Sequence, residues 1–149
     1  MNKLFLFILL YILQSNVCYS QPASAKELNG TKWKCIKGAV HEKGDVYNIE
    51  YSLSSVHIES KDRYCHIAHN KPYYTTNTIP KSYSVNNVGK NTSIRGKYIV
   101  ELYEKAKYFV VYEIEKFSTD TLKLRVIDVN NDFIGPSKED LHLVFVRAK

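Results

Sequence analysis

Three stretches of the chain carry side chains whose types and spacing could do chemistry. The first is Cys65-His66-Ile67-Ala68-His69, with three metal-capable groups close together. Side chains alternate across an extended strand, so His66 and His69, an odd number apart, point to opposite faces. Zinc needs its ligands to converge on one point, so no metal site is expected here. The second is Asp128-Val129-Asn130-Asn131-Asp132, followed by Glu139. Oxygen donors at loop positions 1, 3, 5 and 12 follow a calcium-loop pattern. The sixth place, which wants glycine for a sharp turn, is Phe133, and the flanks are patterned as strands. A solvated turn of Asn and Asp side chains is the better reading. The third is Glu113 and Glu115, which share one strand face as many solvent-facing carboxylates do. No serine sits in a G-x-S-x-G elbow. With no catalytic constellation, the expectation is a binding protein without a cofactor rather than an enzyme.

The elements that would position such residues are almost all strands. Apolar residues recur at every second place after Gly30, and no helical stripe persists. Thr121–Asp128 puts Leu122, Leu124 and Val126 on one face and Lys123 and Arg125 on the other. Lys107–Phe117 aligns Tyr108, Val110, Tyr112 and Ile114, and Ser118-Thr119-Asp120 makes a tight turn between these two strands. Leu141–Arg147 aligns Leu141, Leu143 and Phe145, with Arg147 next in line. Val46–Ile58 changes face between Leu53 and Val56, which predicts a bulge near Ser54-Ser55. Arg63–His69 reads as a short strand. Pro72 and Pro80 suggest an edge or loop over Tyr73–Val85, and Thr92–Tyr103 reads as a further strand. Seven or eight strands in this length must close on themselves or cover their edges. The fold class predicted is all-β, an eight-stranded up-and-down antiparallel barrel. Such a barrel is wide enough for side chains or one small ligand.

The first twenty residues differ from the rest. Lys3, the apolar run Leu4–Leu13 and a polar end describe a secretory signal peptide, with cleavage expected after Ser20. The run is too short to span a bilayer, so no transmembrane anchor is expected. The domains are therefore 1–20, signal peptide, and 21–149, barrel. The location expected is secreted or periplasmic. Lipidation at Cys18 is disfavoured, because Val17 and Ser15 occupy the places where a lipobox wants a small residue and leucine. Cys35 and Cys65 remain in an oxidising compartment, where a disulfide is expected and two free thiols are the other outcome. Beyond Ser20 the charged side chains number 20 basic and 15 acidic, scattered in sign. That pattern is a solvated surface rather than a phosphate-binding stripe, so no nucleic-acid partner is expected.

Gly30-Thr31-Lys32-Trp33, at the start of the first strand, resembles the first motif of the lipocalins and the wider calycin group. The spacing is one residue longer than G-x-W. More narrowly, the chain resembles the small lipocalin-like proteins exported by bacteria of the Bacteroidetes type. The resemblance implies that Trp33 plugs the closed end of the barrel and that Arg147, on the last strand, packs across its ring. Two functions are open. In one the barrel binds a small apolar or amphipathic ligand, lined by Tyr51, Tyr108, Val110, Tyr112, Leu124 and Phe145. In the other the barrel is filled and works as an interaction or inhibitor module, meeting a protein partner through loops such as Lys71–Asn91.

Overall fold

A computed structural model describes residues 21–39, 43–129 and 141–149. The signal sequence with Cys18, and Asn130, Asp132 and Glu139 of the calcium-like loop, lie outside the described residues. Eight strands run in chain order: β1 Lys32–Lys37, β2 Val46–Tyr51, β3 Ser55–Lys61, β4 His66–Thr76, β5 Tyr98–Tyr103, β6 Tyr108–Phe117, β7 Thr121–Val129 and β8 His142–Arg147. Each pairs antiparallel with its neighbour in sequence, and β8 returns to β1, so the sheet is a closed up-and-down barrel.

The structure resolves the break within 46–58 differently from the bulge expected there. The change of face is a chain reversal between β2 and β3. Ser52 makes it tight: its hydroxyl accepts from Ser55 N at 3.0 Å, and its own N–H donates to Ser55 O at 2.8 Å. Serine here does what Asn or Gly does in commoner turns, which is why the signal was quiet. The expected turn at 118–120 does form, with Ser118 N–H donating to Thr121 O at 2.9 Å.

Inward side chains follow the two-residue period. Ile49 and Tyr51 of β2, Val56 and Ile58 of β3, Tyr73 of β4, Ile99 of β5 and Val110, Tyr112 and Ile114 of β6 share one buried core with Leu122, Leu124, Leu143 and Phe145. A second apolar layer lies on the outer face of β4–β7. Tyr74, Val100, Leu102, Phe109 and Val111 are buried there with Tyr83 and Val88 of the β4–β5 connection packed against them. The connection thus folds back over the barrel wall, and β5 and β6 bury apolar residues on both faces because both are covered there.

One end is closed by the segment before β1. A short helix α1, Ala25–Leu28, starts at a capping box in which Ser24 Oγ accepts from Glu27 N at 3.2 Å and Glu27 Oε2 accepts from Ser24 N at 2.8 Å. Leu28 is fully buried in the barrel core. Gly30, at φ +73°, turns the chain from α1 into β1, a left-handed step at the position where helices commonly end on glycine. Ala23 and Gly96 exchange backbone hydrogen bonds at 3.0 and 2.9 Å, which ties this plug to the β4–β5 connection. A Cβ at Gly96 would fall 2.4 Å from Thr76 N, so only glycine lets the two chains approach.

Trp33 sits at this floor with no exposed surface. Its indole N–H donates to Thr31 Oγ1 at 2.8 Å, Phe117 meets it edge-on at 6.2 Å, and Arg147 Cζ lies 4.9 Å over its ring. Trp33 and Arg147 are direct partners across the β1–β8 ladder. Trp33→Ala should destabilise the fold by about 3–5 kcal/mol in chemical denaturation, through the cavity it leaves. Arg147→Met should lose only about 0.5–2 kcal/mol, the range of a cation–π contact. Equal losses would mean that the cation, rather than the packed indole, holds the floor.

Candidate functional site

The wall parts toward the end opposite Trp33. β4 pairs with β3 from His66 to Pro72, but with β5 only from Tyr73 to Thr76. The cause is local. Tyr73 N–H donates to Ser54 O at 3.1 Å, on the β3 side. Successive N–H groups point to alternate sides of a strand, so the nitrogen of residue 72 faces β5, and proline has no hydrogen to give. Pro72 therefore lies inside a strand rather than ending one, and it stops only the ladder to β5. Beyond it a cleft of about 430 Å³ opens, lined by His69–Pro72 of β4, Leu102 and Tyr103 of β5, Tyr108 of β6 and the β5–β6 turn.

A buried charged pair stands at the inner side of this cleft. Lys71 shares the inward face with Tyr73, and Glu101 is the register partner of Tyr73. Glu101 is 3% exposed and Lys71 8%. The ammonium lies 3.8 Å from Glu101 Oε2, donates to the Tyr103 hydroxyl and sits 3.8 Å over the Tyr103 ring. Tyr112 OH reaches Glu101 Oε2 at 3.5 Å, and Tyr103 stacks on Tyr108 at 4.1 Å. Burial pushes the Glu101 carboxyl above the ordinary carboxylate range, with Lys71 pulling it back. Burial lowers the Lys71 ammonium, with Glu101 opposing. Burial, then the Glu101 charge, raises Tyr47, Tyr51, Tyr103 and Tyr112. These hydroxyls stay protonated, and among them Tyr112 OH is the one that reaches the Glu101 carboxyl.

Of the residues anticipated from sequence as a ligand lining, Tyr51, Val110, Tyr112, Leu124 and Phe145 are buried in the barrel core, and Tyr108 is half-buried on the cleft. Tyr112 touches Glu101, and Tyr51 meets Tyr73 edge-on at 5.0 Å. Leu124 pairs with Leu143 and Phe145 with Cys35, away from the cleft. Sequence reasoning missed Lys71, Glu101 and Tyr103. The signal was parity: Glu101 lies between Ile99 and Tyr103 at the same two-residue spacing that places apolar residues inside.

The expected Cys35–Cys65 disulfide is not formed. Cys35 is buried on β1, where its thiol donates to Lys37 O at 3.2 Å, and Cys65 is exposed at the β3–β4 turn. β2 stands between β1 and β3. Two strand spacings are about 10 Å, and a disulfide needs Cα atoms within about 7 Å. His66 pairs with Glu59 at 3.3 Å, and among the described residues no three His, Cys, Asp or Glu side chains gather to hold a metal. Glu113 binds Lys97 Nζ at 2.9 Å and Arg125, and Glu115 binds His142 Nδ1 at 3.0 Å. Both carboxylates are occupied in outer-face ion pairs.

Comparison with family models, curated proteins and solved structures finds no match to this chain. The buried polar cluster is therefore read from its own geometry.

Two outcomes test that geometry. The Tyr51 hydroxyl is sealed from solvent and has no hydrogen-bond partner among the described residues, whereas Tyr73 OH donates to Ser52 O at 2.8 Å. Tyr51→Phe should raise stability by about 1–3 kcal/mol, and Tyr73→Phe should lower it by about 0.5–1.5 kcal/mol. In thiol titration with Ellman's reagent, Cys65→Ser should remove one rapidly reacting equivalent, while Cys35 reacts only on unfolding. No change in the rapid phase would restore the disulfide.

Proposed function

We propose that this chain is an exported, lipocalin-like binding protein for a small amphipathic molecule. The ligand's apolar part lies along the cleft between β4 and β5, and its polar end meets Lys71, Glu101 and the tyrosine hydroxyls. The observation that carries this reading is the joining of an open cleft to a buried polar cluster. Ligand sites are mostly apolar hollows of roughly 300–1,000 Å³ with a few convergent polar groups, and this cleft has both properties. The lipocalin-like assignment is supported by Trp33 under Arg147 at an end closed by α1. Export to a secreted or periplasmic location is supported by the signal-like sequence of residues 1–20.

The interaction-module reading draws support from the tight core. Trp33, Tyr51, Tyr73 and Phe145 are all sealed inside, below the cleft. The two readings separate on one measurement. Native mass spectrometry of the purified chain, before and after organic extraction, should show an organic adduct that extraction removes. Ala106→Trp, which fills the cleft from the β5–β6 turn, should then weaken rebinding of the extracted molecule about tenfold or more, a change of about 1.4 kcal/mol or more. A bare polypeptide mass throughout, with no saturable uptake of added amphipaths, would replace the ligand reading with the interaction module.

A further inference from the structure

The buried cluster has a sign. The Glu101 carboxyl is reached by Tyr112 OH at 3.5 Å, and its ion-pair partner Lys71 lies over the ring of Tyr103, which stacks on Tyr108. An aromatic face beside a carboxylate is chemistry that holds an organic cation, because the ring presents its negative face and the carboxylate supplies the counter-charge. The chain itself places a cation there. The Lys71 ammonium lies over the Tyr103 ring and faces Glu101 at 3.8 Å, longer than a direct charge-assisted hydrogen bond of about 2.8 Å. Tyr51 lies in the same barrel core as Tyr73 and Tyr112, and its sealed hydroxyl has no hydrogen-bond partner among the described residues.

Lys71 also stands at the opening. It lines the cleft where β4 and β5 part, and its neighbour Pro72 keeps that wall unlatched. A lysine has a flexible four-carbon stem. Rotation about such a stem moves an ammonium without breaking a ladder bond.

From this arrangement we propose that the buried cluster recognises a primary alkyl- or arylalkyl-ammonium ion, and that Lys71 is a tethered occupant which the ligand displaces. The inference rests on the cleft-binding reading above and gives its ligand a chemical class. The incoming ammonium donates to Glu101 and lies against Tyr103, and its tail follows the cleft past Leu102 and Tyr108. The displaced Lys71 turns outward through the gap. Since the tether competes for the same carboxylate, it holds affinity down and sets a threshold concentration for binding.

Isothermal titration with three probes of one tail length tests this: n-octylammonium, octanoate and 1-octanol. Octylammonium is expected to bind the unaltered chain, to bind Lys71→Met about tenfold more tightly, and to be lost in Glu101→Gln. Octanoate and octanol are expected to bind weakly in all three. Tyr103→Leu, which removes a ring face without touching the charges, should cut octylammonium affinity several-fold and serves if Glu101→Gln does not fold. Weaker octylammonium binding in Lys71→Met would overturn the tethered-occupant role. Octanoate or octanol binding as tightly as octylammonium would overturn the cation selectivity while leaving the amphipath reading intact. If none of the three binds any variant, both readings fall.

Discussion

Closure of the sheet along the β1–β8 ladder is the constraint on which the rest of the structure depends. A sheet of eight strands left open would expose two rows of unpaired backbone groups. Here the last strand finds the first, with Trp33 opposite Arg147 and Cys35 opposite Phe145. The register slips once between Cys35 and Lys37. Such an irregularity bends a strand and sharpens its twist, as a wall of small radius requires. Once the ring is shut, one end needs a stopper. The indole, Leu28 and α1 provide it, and polar groups buried elsewhere can then be held in fixed positions.

Much of this architecture is written in the alternation of side chains. β6 keeps the two-residue period from Tyr108 to Ile114 and β7 from Leu122 to Val126, so Tyr112 and Leu124 could be assigned inward before any coordinates. Two features were hidden. The reversal at Ser52 carries neither glycine nor asparagine, and a face change marked only by serines reads as a bulge. Phe109 and Val111 point outward and are nevertheless buried. Nothing local to β6 explains this; the cover comes from residues 83 and 88, far along the chain.

The polar cluster was illegible for a different reason. Glu101 sits among Lys97, Glu104, Lys105 and Lys107, and a charged stretch of mixed sign reads as solvated surface. Only parity with Ile99 and Tyr103 turns it inward. Lys71 precedes a proline that seemed to end a strand, so its face was not assigned. The disulfide failed through topology. Compartment and cysteine count favour pairing, but an intervening strand sets the minimum separation.

Pro72 has one more effect, on the behaviour of many copies together. Where the wall is parted, alternation turns the backbone groups of Leu102 toward β4 past the last rung, Tyr73–Glu101, and such a margin is where a foreign strand docks. A proline facing that gap withholds one of the donors such a strand would need, and a buried lysine beside it sets a positive charge at the margin. The interruption that opens the cleft thus also withholds a donor from edge-to-edge pairing.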